Sequence, residues 1–84
     1  MRLDKYLKVS RLIKRRTVAN DACDGERVTV NGRQAKASYD VKLGDLITVS
    51  FGMKQITVRV LEIKDTTKKS ESSGMYEIVS ESES

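Results

Sequence analysis

The chain has 84 residues, which is enough for one small domain. Folding at this length buries only about 60% of the surface that the unfolded chain exposes, so the length favours a binding module over an enzyme with a deep substrate cavity. The chain has no histidine and a single cysteine, Cys23. An intrachain disulfide is therefore excluded, and the chain lacks the residues that Cys/His metal sites and His-dependent catalytic pairs require. We therefore expect no metal and no cofactor.

Charge is distributed very unevenly along the sequence. The net charge is +4, from 16 basic and 12 acidic residues. Residues 1–16 contain seven cations and one acid, a net charge of +6, whereas the remaining 68 residues have a net charge of −2. A field of this kind indicates a polyanionic partner, either nucleic acid or an anionic membrane surface. No apolar run approaches the roughly 20 residues that span a bilayer, and we expect a soluble, cytoplasmic protein.

The first predicted element is an amphipathic helix of about two turns that begins near Leu3. At 100° per residue, one arc collects apolar and small residues and the opposite arc collects cations. The first arc contains Leu3, Tyr6, Leu7 and Ser10, and the second contains Arg2, Lys5 and Lys8. Tyr6 is predicted to lie in the core, with stacking on a base as the alternative. Asp4 is expected either to complement the helix dipole or to orient a neighbouring arginine through an ion pair.

A second helix is predicted from Thr17 to Asp24, directly after the basic run Lys14-Arg15-Arg16. Thr17 is a good N-cap residue, and cations beside the positive end of a helix favour a bound anion, with phosphate the obvious candidate. Gly25 is expected to end this helix in the left-handed conformation. The predicted apolar face consists of Val18, Ala19, Ala22 and Cys23.

Antiparallel strands are predicted to follow the helices. Residues 28–30 alternate apolar and polar before Asn31-Gly32, the dipeptide that best tolerates a tight hairpin turn. Further strands are expected at 33–37, 46–51 and 54–63, which gives an α+β fold of two packed helices followed by a short antiparallel sheet. We take residues 1–64 as the domain. Residues 65–84 carry a net charge of −3 and six serines, so we expect a mostly flexible acidic tail, with a short strand at 75–79 as an option.

Four separated motifs resemble the RNA-binding domain family named after ribosomal small-subunit protein S4. They are Arg2-Leu3-Asp4-Lys5-Tyr6-Leu7, Lys14-Arg15-Arg16-Thr17, Val28-Thr29-Val30-Asn31-Gly32 and Leu43-Gly44-Asp45. The resemblance covers residues 1 to about 51 and implies the fold called the alpha-L RNA-binding motif, with a helical face that grips structured RNA. It implies RNA contacts by Arg2, Lys5, Arg11, Lys14, Arg15 and Arg16.

Almost the whole chain also resembles bacterial ribosome-associated quality-control factors, relatives of the heat-shock ribosome-recycling proteins. The further motifs are Gln34-Ala35-Lys36-Ala37-Ser38, Lys64-Asp65-Thr66-Thr67-Lys68-Lys69 and Met75-Tyr76. This resemblance implies a non-catalytic monomer that binds the dissociated large ribosomal subunit with its peptidyl-tRNA. Its partners would be large-subunit ribosomal RNA, the peptidyl-tRNA and a tRNA-recruiting factor in alanine tailing of stalled nascent chains.

Two positions depart from the family pattern. Arg15 stands where the family usually has serine, and Glu26 stands where it usually has glycine, one residue after Gly25. The family pattern therefore does not determine the residue at which the second helix starts or the conformation of the turn after it. The alternatives for function are a recycling factor on the same subunit, an accessory domain of an RNA-modifying enzyme, and a module for anionic membrane surfaces.

Overall fold

The computed structural model describes residues 1–65 and 72–83, and their arrangement is the predicted α+β fold. Two helices precede a five-stranded antiparallel sheet with the strand order β2-β1-β3-β4-β5. The helices are α1 (Leu3–Val9) and α2 (Arg16–Asp24). The strands are β1 (Val28–Val30), β2 (Arg33–Gln34), β3 (Leu46–Phe51), β4 (Lys54–Val60) and β5 (Tyr76–Glu83), the last preceded by a 3₁₀ turn at Ser72–Met75.

Side-chain alternation gives the sheet one apolar face and one polar face. Ile47 of β3 lies opposite Val58 of β4, and both are buried against the helices. On the other face, the hydroxyls of Thr48 and Thr57 are hydrogen-bonded at 2.8 Å. Period-two burial of this kind is what a sheet with one covered face requires.

Helix α1 supplies the centre of the core. Leu3, Tyr6 and Leu7 have no exposed surface. The Tyr6 hydroxyl donates a 2.8 Å hydrogen bond to the backbone oxygen of Met75, which is also fully buried. The predicted core position of Tyr6 is confirmed, and burial excludes stacking of this ring on a base.

The loop between β2 and β3 satisfies the first backbone amides of α1. The N–H of Leu3 donates to the oxygen of Tyr39 at 2.8 Å, and that of Asp4 donates to the oxygen of Ala37 at 3.2 Å. The N–H of Lys5 donates to the Asp4 carboxylate at 2.8 Å. Since these amides already have partners, the start of α1 offers no vacant anion site.

Helix α2 differs from its prediction at its start and in the width of its buried face. It begins at Arg16, one residue early, with Arg15 as its N-cap and no side-chain capping bond, so the prediction that Thr17 caps the helix is wrong. Val18 is 48% exposed, because only the narrow stripe of Ala19, Ala22 and Cys23 packs inward. The prediction that Val18 lies on the buried face of α2 is therefore wrong as well.

The turn after α2 uses a different residue from the one expected. Gly25 has a φ of −84°, whereas Glu26 has a φ of +64°, so the left-handed residue is Glu26 and not Gly25. The second helix therefore keeps its predicted end at Asp24, and the strain falls on the position at which the family usually has glycine.

The predicted hairpin at Asn31-Gly32 is confirmed. Both residues have positive φ, +53° and +83°, as a two-residue turn of this type requires. The Asn31 side chain also reaches β3: its amide donates to Asp45 at 3.1 Å, and its oxygen accepts the N–H of Leu46 at 3.0 Å.

Two strands are shorter than predicted and one is longer. Strand β2 ends at Gln34, because the following segment turns to meet α1. Strand β4 ends at Val60, and beyond it the N–H groups of Leu61 and Glu62 donate to the oxygen of Met75. Strand β5 pairs with β4 over its whole length, with a bulge near Val58.

Residues 72–83 thus form regular structure in place of the mostly flexible tail that we expected. The short strand considered at 75–79 is β5, which extends to Glu83. Met75 explains the difference, since its side chain is fully buried beside α1. The rest of the expected tail beyond Asp65, residues 66–71 and 84, lies outside the described residues. Among the described helices, none has the length and apolar character needed to cross a membrane.

Candidate nucleic-acid interface

The carboxylate of Asp4 joins the two helices at their basic ends. It accepts hydrogen bonds from Arg2 Nε at 3.2 Å and Nη2 at 3.4 Å, and from Arg16 Nε at 3.5 Å. Asn20, one turn along α2 from Arg16, donates its side-chain amide at 3.3 Å. We call these four residues, Arg2, Asp4, Arg16 and Asn20, the Asp4 network.

Burial within the Asp4 network is strongly asymmetric. The Asp4 side chain is 3% exposed, whereas those of Arg2 and Arg16 are 51% and 50% exposed. One carboxylate holds two guanidinium groups, so the three charged side chains keep a net charge of +1 at the surface. The network therefore fixes the inner edges of both arginines and leaves their remaining donors to solvent or to an anionic ligand.

The ionised form of Asp4 is favoured despite its burial. Desolvation by itself would raise the pKa of Asp4, but hydrogen bonds from Arg2, Asn20 and the Lys5 amide, with the charge of Arg16, outweigh it and lower the pKa below its ordinary value. Both expectations for Asp4 thus hold in part. It lies in the first turn of α1, and it orients two arginines rather than one.

The other four predicted RNA contacts lie along the same part of the chain but outside the Asp4 network. Lys5 is on α1 and forms an exposed ion pair with Asp65 at 3.2 Å. Lys14 lies in the connection between the helices, and Arg15 is the N-cap of α2. Arg11, Lys14 and Arg15 are exposed and form no ion pair with any other described residue.

Arg11 has an unusual backbone conformation. It follows the C-cap of α1 with a φ of +65°, in the position where helices commonly place glycine. A non-glycine residue in this region is strained by about 1 to 2 kcal/mol. Strain of this kind is often retained where the side chain has a function.

The start of α2 remains open to an anion. Within the part of the chain that the structure describes, no side chain caps it, and Arg15 and Arg16 stand at its first positions. A shallow depression beside it is lined by Asp4, Arg16, Thr17, Asn20 and Asp21. The uncapped N–H groups, the partial positive charge of the helix and the two guanidinium groups favour phosphate here.

Sequence reasoning missed Asn20 as part of this site. A lone asparagine within a helix carries no recognisable signal, and only its spacing of four residues from Arg16, which places both on one helix face, could have suggested it. No group of three or more potential metal-ligating side chains occurs in the ranges 1–65 and 72–83.

Comparison with known families places the basic helices within a recognised domain. Residues 1–47 match the family described as S4 domain. The "RQC P-site tRNA stabilizing factor" of Bacillus subtilis is 63% identical over 81 residues, which cover 96% of this chain and 94% of that protein. The protein of the same name from Streptococcus pneumoniae is 59% identical over 81 residues, covering 96% of this chain and 92% of the relative.

Among solved structures, the chain is similar to heat shock protein 15 of Vibrio cholerae, which was solved as a trimer. The TM-score is 0.88 at 32% sequence identity, and the match covers 94% of this chain and 81% of the other. The two helices and the sheet are therefore shared with a protein that differs from this one at about two thirds of its aligned positions.

Proposed function

The chain belongs to the S4 domain family, and we propose that it is a non-catalytic, ribosome-associated quality-control factor that binds RNA through its two helices. Its target is the dissociated large ribosomal subunit that still carries peptidyl-tRNA, where it contacts both ribosomal RNA and tRNA. The observation that carries the proposal is the Asp4 network, which presents two half-exposed arginines inside the stretch that matches the S4 domain.

The proposed binding surface comprises the cations of the first sixteen residues. Phosphate contacts by these side chains supply most of the affinity, and the shape of the folded RNA supplies most of the selectivity. Aromatic stacking contributes little, because Tyr6 is buried, and the partly buried Tyr39 and the exposed Phe51 are too isolated to form a stacking platform. The surface consists of Arg2, Lys5, Arg11, Lys14, Arg15 and Arg16.

On the subunit, the protein stabilises the peptidyl-tRNA while a tRNA-recruiting factor supports alanine tailing of the stalled nascent chain. The names of the Bacillus and Streptococcus relatives support the tRNA part of this proposal. We further propose that the protein acts as a monomer, with no enzymatic activity of its own.

A recycling factor of the heat-shock type is the second candidate, supported by the similarity to the Vibrio cholerae protein. The membrane alternative is disfavoured, because the apolar residues of α1 that would enter a lipid surface are fully buried in the core. These residues are Leu3, Tyr6 and Leu7.

Binding to purified large subunits, with and without peptidyl-tRNA, tests the proposal. We expect tighter binding when peptidyl-tRNA is present, whereas equal binding to empty subunits would contradict the proposed contact with tRNA. Five or six phosphate contacts predict that log Kd changes with log salt concentration by a slope of magnitude about 4 to 5. A nearly flat salt response would contradict binding through phosphates.

The strained backbone at Arg11 allows stability and binding to be separated. We expect Arg11→Gly to raise the free energy of unfolding by about 0.5 to 1 kcal/mol, since glycine relieves the left-handed strain. The same change should weaken binding to the large subunit, because it removes a cation. Thermal unfolding and a binding titration measure the two effects.

Glu26→Gly is the matched control for Arg11→Gly. Glu26 has nearly the same φ, +64° against +65°, but lies after α2 and is not basic. We expect the same gain in stability without loss of binding. If both variants bind equally well, Arg11 does not contact RNA.

A further inference from the structure

We infer that Asp4 and Asn20 are positioning residues that hold the guanidinium groups of Arg2 and Arg16 in place to bind RNA phosphate. The inference rests on the proposed function. It assigns a role in RNA binding to an acidic side chain, which by its charge alone would repel RNA, and to a neutral residue on the second helix.

The hydrogen bonds show which parts of each arginine are restrained. Asp4 binds Arg16 through Nε only, so both terminal amino groups of Arg16 lack a hydrogen-bond partner among residues 1–65 and 72–83. Arg2 is held through Nε and Nη2, which leaves Nη1 on its outer side. Each guanidinium group is therefore held by the Asp4 carboxylate and keeps further N–H donors that can bind a phosphate group.

The anchor itself is rigid. Asp4 is nearly buried, and one of its oxygens also accepts the Lys5 backbone amide at 2.8 Å, so the carboxylate cannot rotate freely. Asn20 donates to the other oxygen, the one that also meets Arg16. Because α1 and α2 both contribute to this contact, the positions of the two arginines follow the packing of the helices.

Positioning lowers the entropic cost of binding. A free arginine side chain loses much of its rotamer freedom when it grips a phosphate, and a side chain already held in one geometry loses less. Coulomb interaction acts in the opposite direction, since loss of the Asp4 charge would strengthen attraction to RNA. Positioning and simple charge therefore predict opposite signs for the effect of removing this carboxylate.

The test compares Asp4→Asn with Asp24→Asn in titrations against purified large subunits carrying peptidyl-tRNA. We expect Asp4→Asn to weaken binding about tenfold, because two arginines lose their anchor. Asp24 is an exposed carboxylate at the end of α2, outside the lining of the depression, and its neutralisation should leave Kd unchanged or lower it. If Asp4→Asn binds as tightly as the wild-type protein or more tightly, the inference is wrong.

A double-mutant cycle distinguishes positioning from a general effect on the fold. Asp4→Asn should weaken binding much less in an Arg2→Ala/Arg16→Ala background than in the wild-type background, because the groups that it positions are gone. Equal losses in both backgrounds would show that Asp4 acts through the fold alone. Circular dichroism at the titration temperature verifies that each variant is folded.

Asn20→Ala provides a test that keeps every charge. We expect binding to weaken about threefold, since one hydrogen bond to the carboxylate is lost. An unchanged Kd would remove Asn20 from the inference, and this variant carries the test if Asp4→Asn fails to fold. Wild-type protein that does not bind the subunit, or an Arg16→Ala variant that binds normally, would instead refute the proposed function.

Discussion

Replacement of Arg16 by alanine should weaken binding to the large ribosomal subunit by roughly 10- to 100-fold, while the fold stays intact. Hydrogen bonds to charged groups contribute about 1.5 to 3 kcal/mol, and Arg16 keeps two terminal amino groups for a phosphate. Its side chain is 50% exposed, so little packing is lost. Binding titrations and thermal unfolding of the same preparations measure the two quantities.

Arg59→Ala is the control for this substitution. Arg59 is 48% exposed and, like Arg16, forms an ion pair, at 2.8 Å with Glu77. It lies on β4, away from the basic helices, so its loss should leave the Kd nearly unchanged. Equal effects of the two variants would mean that net charge, and not the α2 position, determines affinity. A collapse of the Arg16→Ala fold would show that its contact with Asp4 is chiefly structural.

Substitution of Asp45 by asparagine should produce a large loss of stability, about 2 to 4 kcal/mol. Asp45 is 8% exposed and accepts hydrogen bonds from Tyr39 Oη at 2.8 Å, the Lys42 amide at 2.9 Å and Asn31 Nδ2 at 3.1 Å. Asparagine places an NH₂ group against at least one of these donors, which leaves buried groups without partners. For a domain of this size, Tm should fall by roughly 8 °C or more.

Asp65→Asn is the matched control, because Asp65 is 86% exposed and pairs, among the described residues, only with Lys5 at the surface. Its Tm should not change measurably. An Asp45→Asn variant with the Tm of the wild-type protein would contradict the structural role of this carboxylate.

The pH dependence of stability provides a second measurement on Asp45. Burial by itself would raise the pKa of Asp45, but the hydrogen bonds from Lys42, Tyr39 and Asn31 outweigh it and lower the pKa below the ordinary value of 3.8. A carboxyl whose pKa is lower in the folded state stabilises the fold at pH values above its unfolded pKa. That contribution disappears as the pH falls through the folded pKa. In the Asp45→Asn variant, the free energy of unfolding should therefore change less with pH below about pH 4 than it does in the wild-type protein.

Local patterns predicted those elements whose cause lies within a few residues. The apolar arc of α1 follows from helical periodicity, and the hairpin follows from the tolerance of Asn31-Gly32 for positive φ. The predictions failed where contacts with neighbouring elements determine which residues are buried or where a helix begins. Val18 belongs to an apolar pattern but lies outside the narrow stripe that packs against α1, and Thr17 is preceded by a residue that is already helical.

The features of the candidate site likewise fall into those that the sequence determined and those that only the tertiary structure decided. The sequence by itself determined that the cations are concentrated in the first sixteen residues and adjoin the start of a helix, because charge and spacing are properties of the linear chain. Only the tertiary structure decided that Asp4 serves both Arg2 and Arg16, and that Asn20 joins them. It also decided that Met75 closes the core beneath Tyr6, 69 positions away in the chain. Contacts of this range depend on how the helices and strands pack, and local propensity carries no information about that packing.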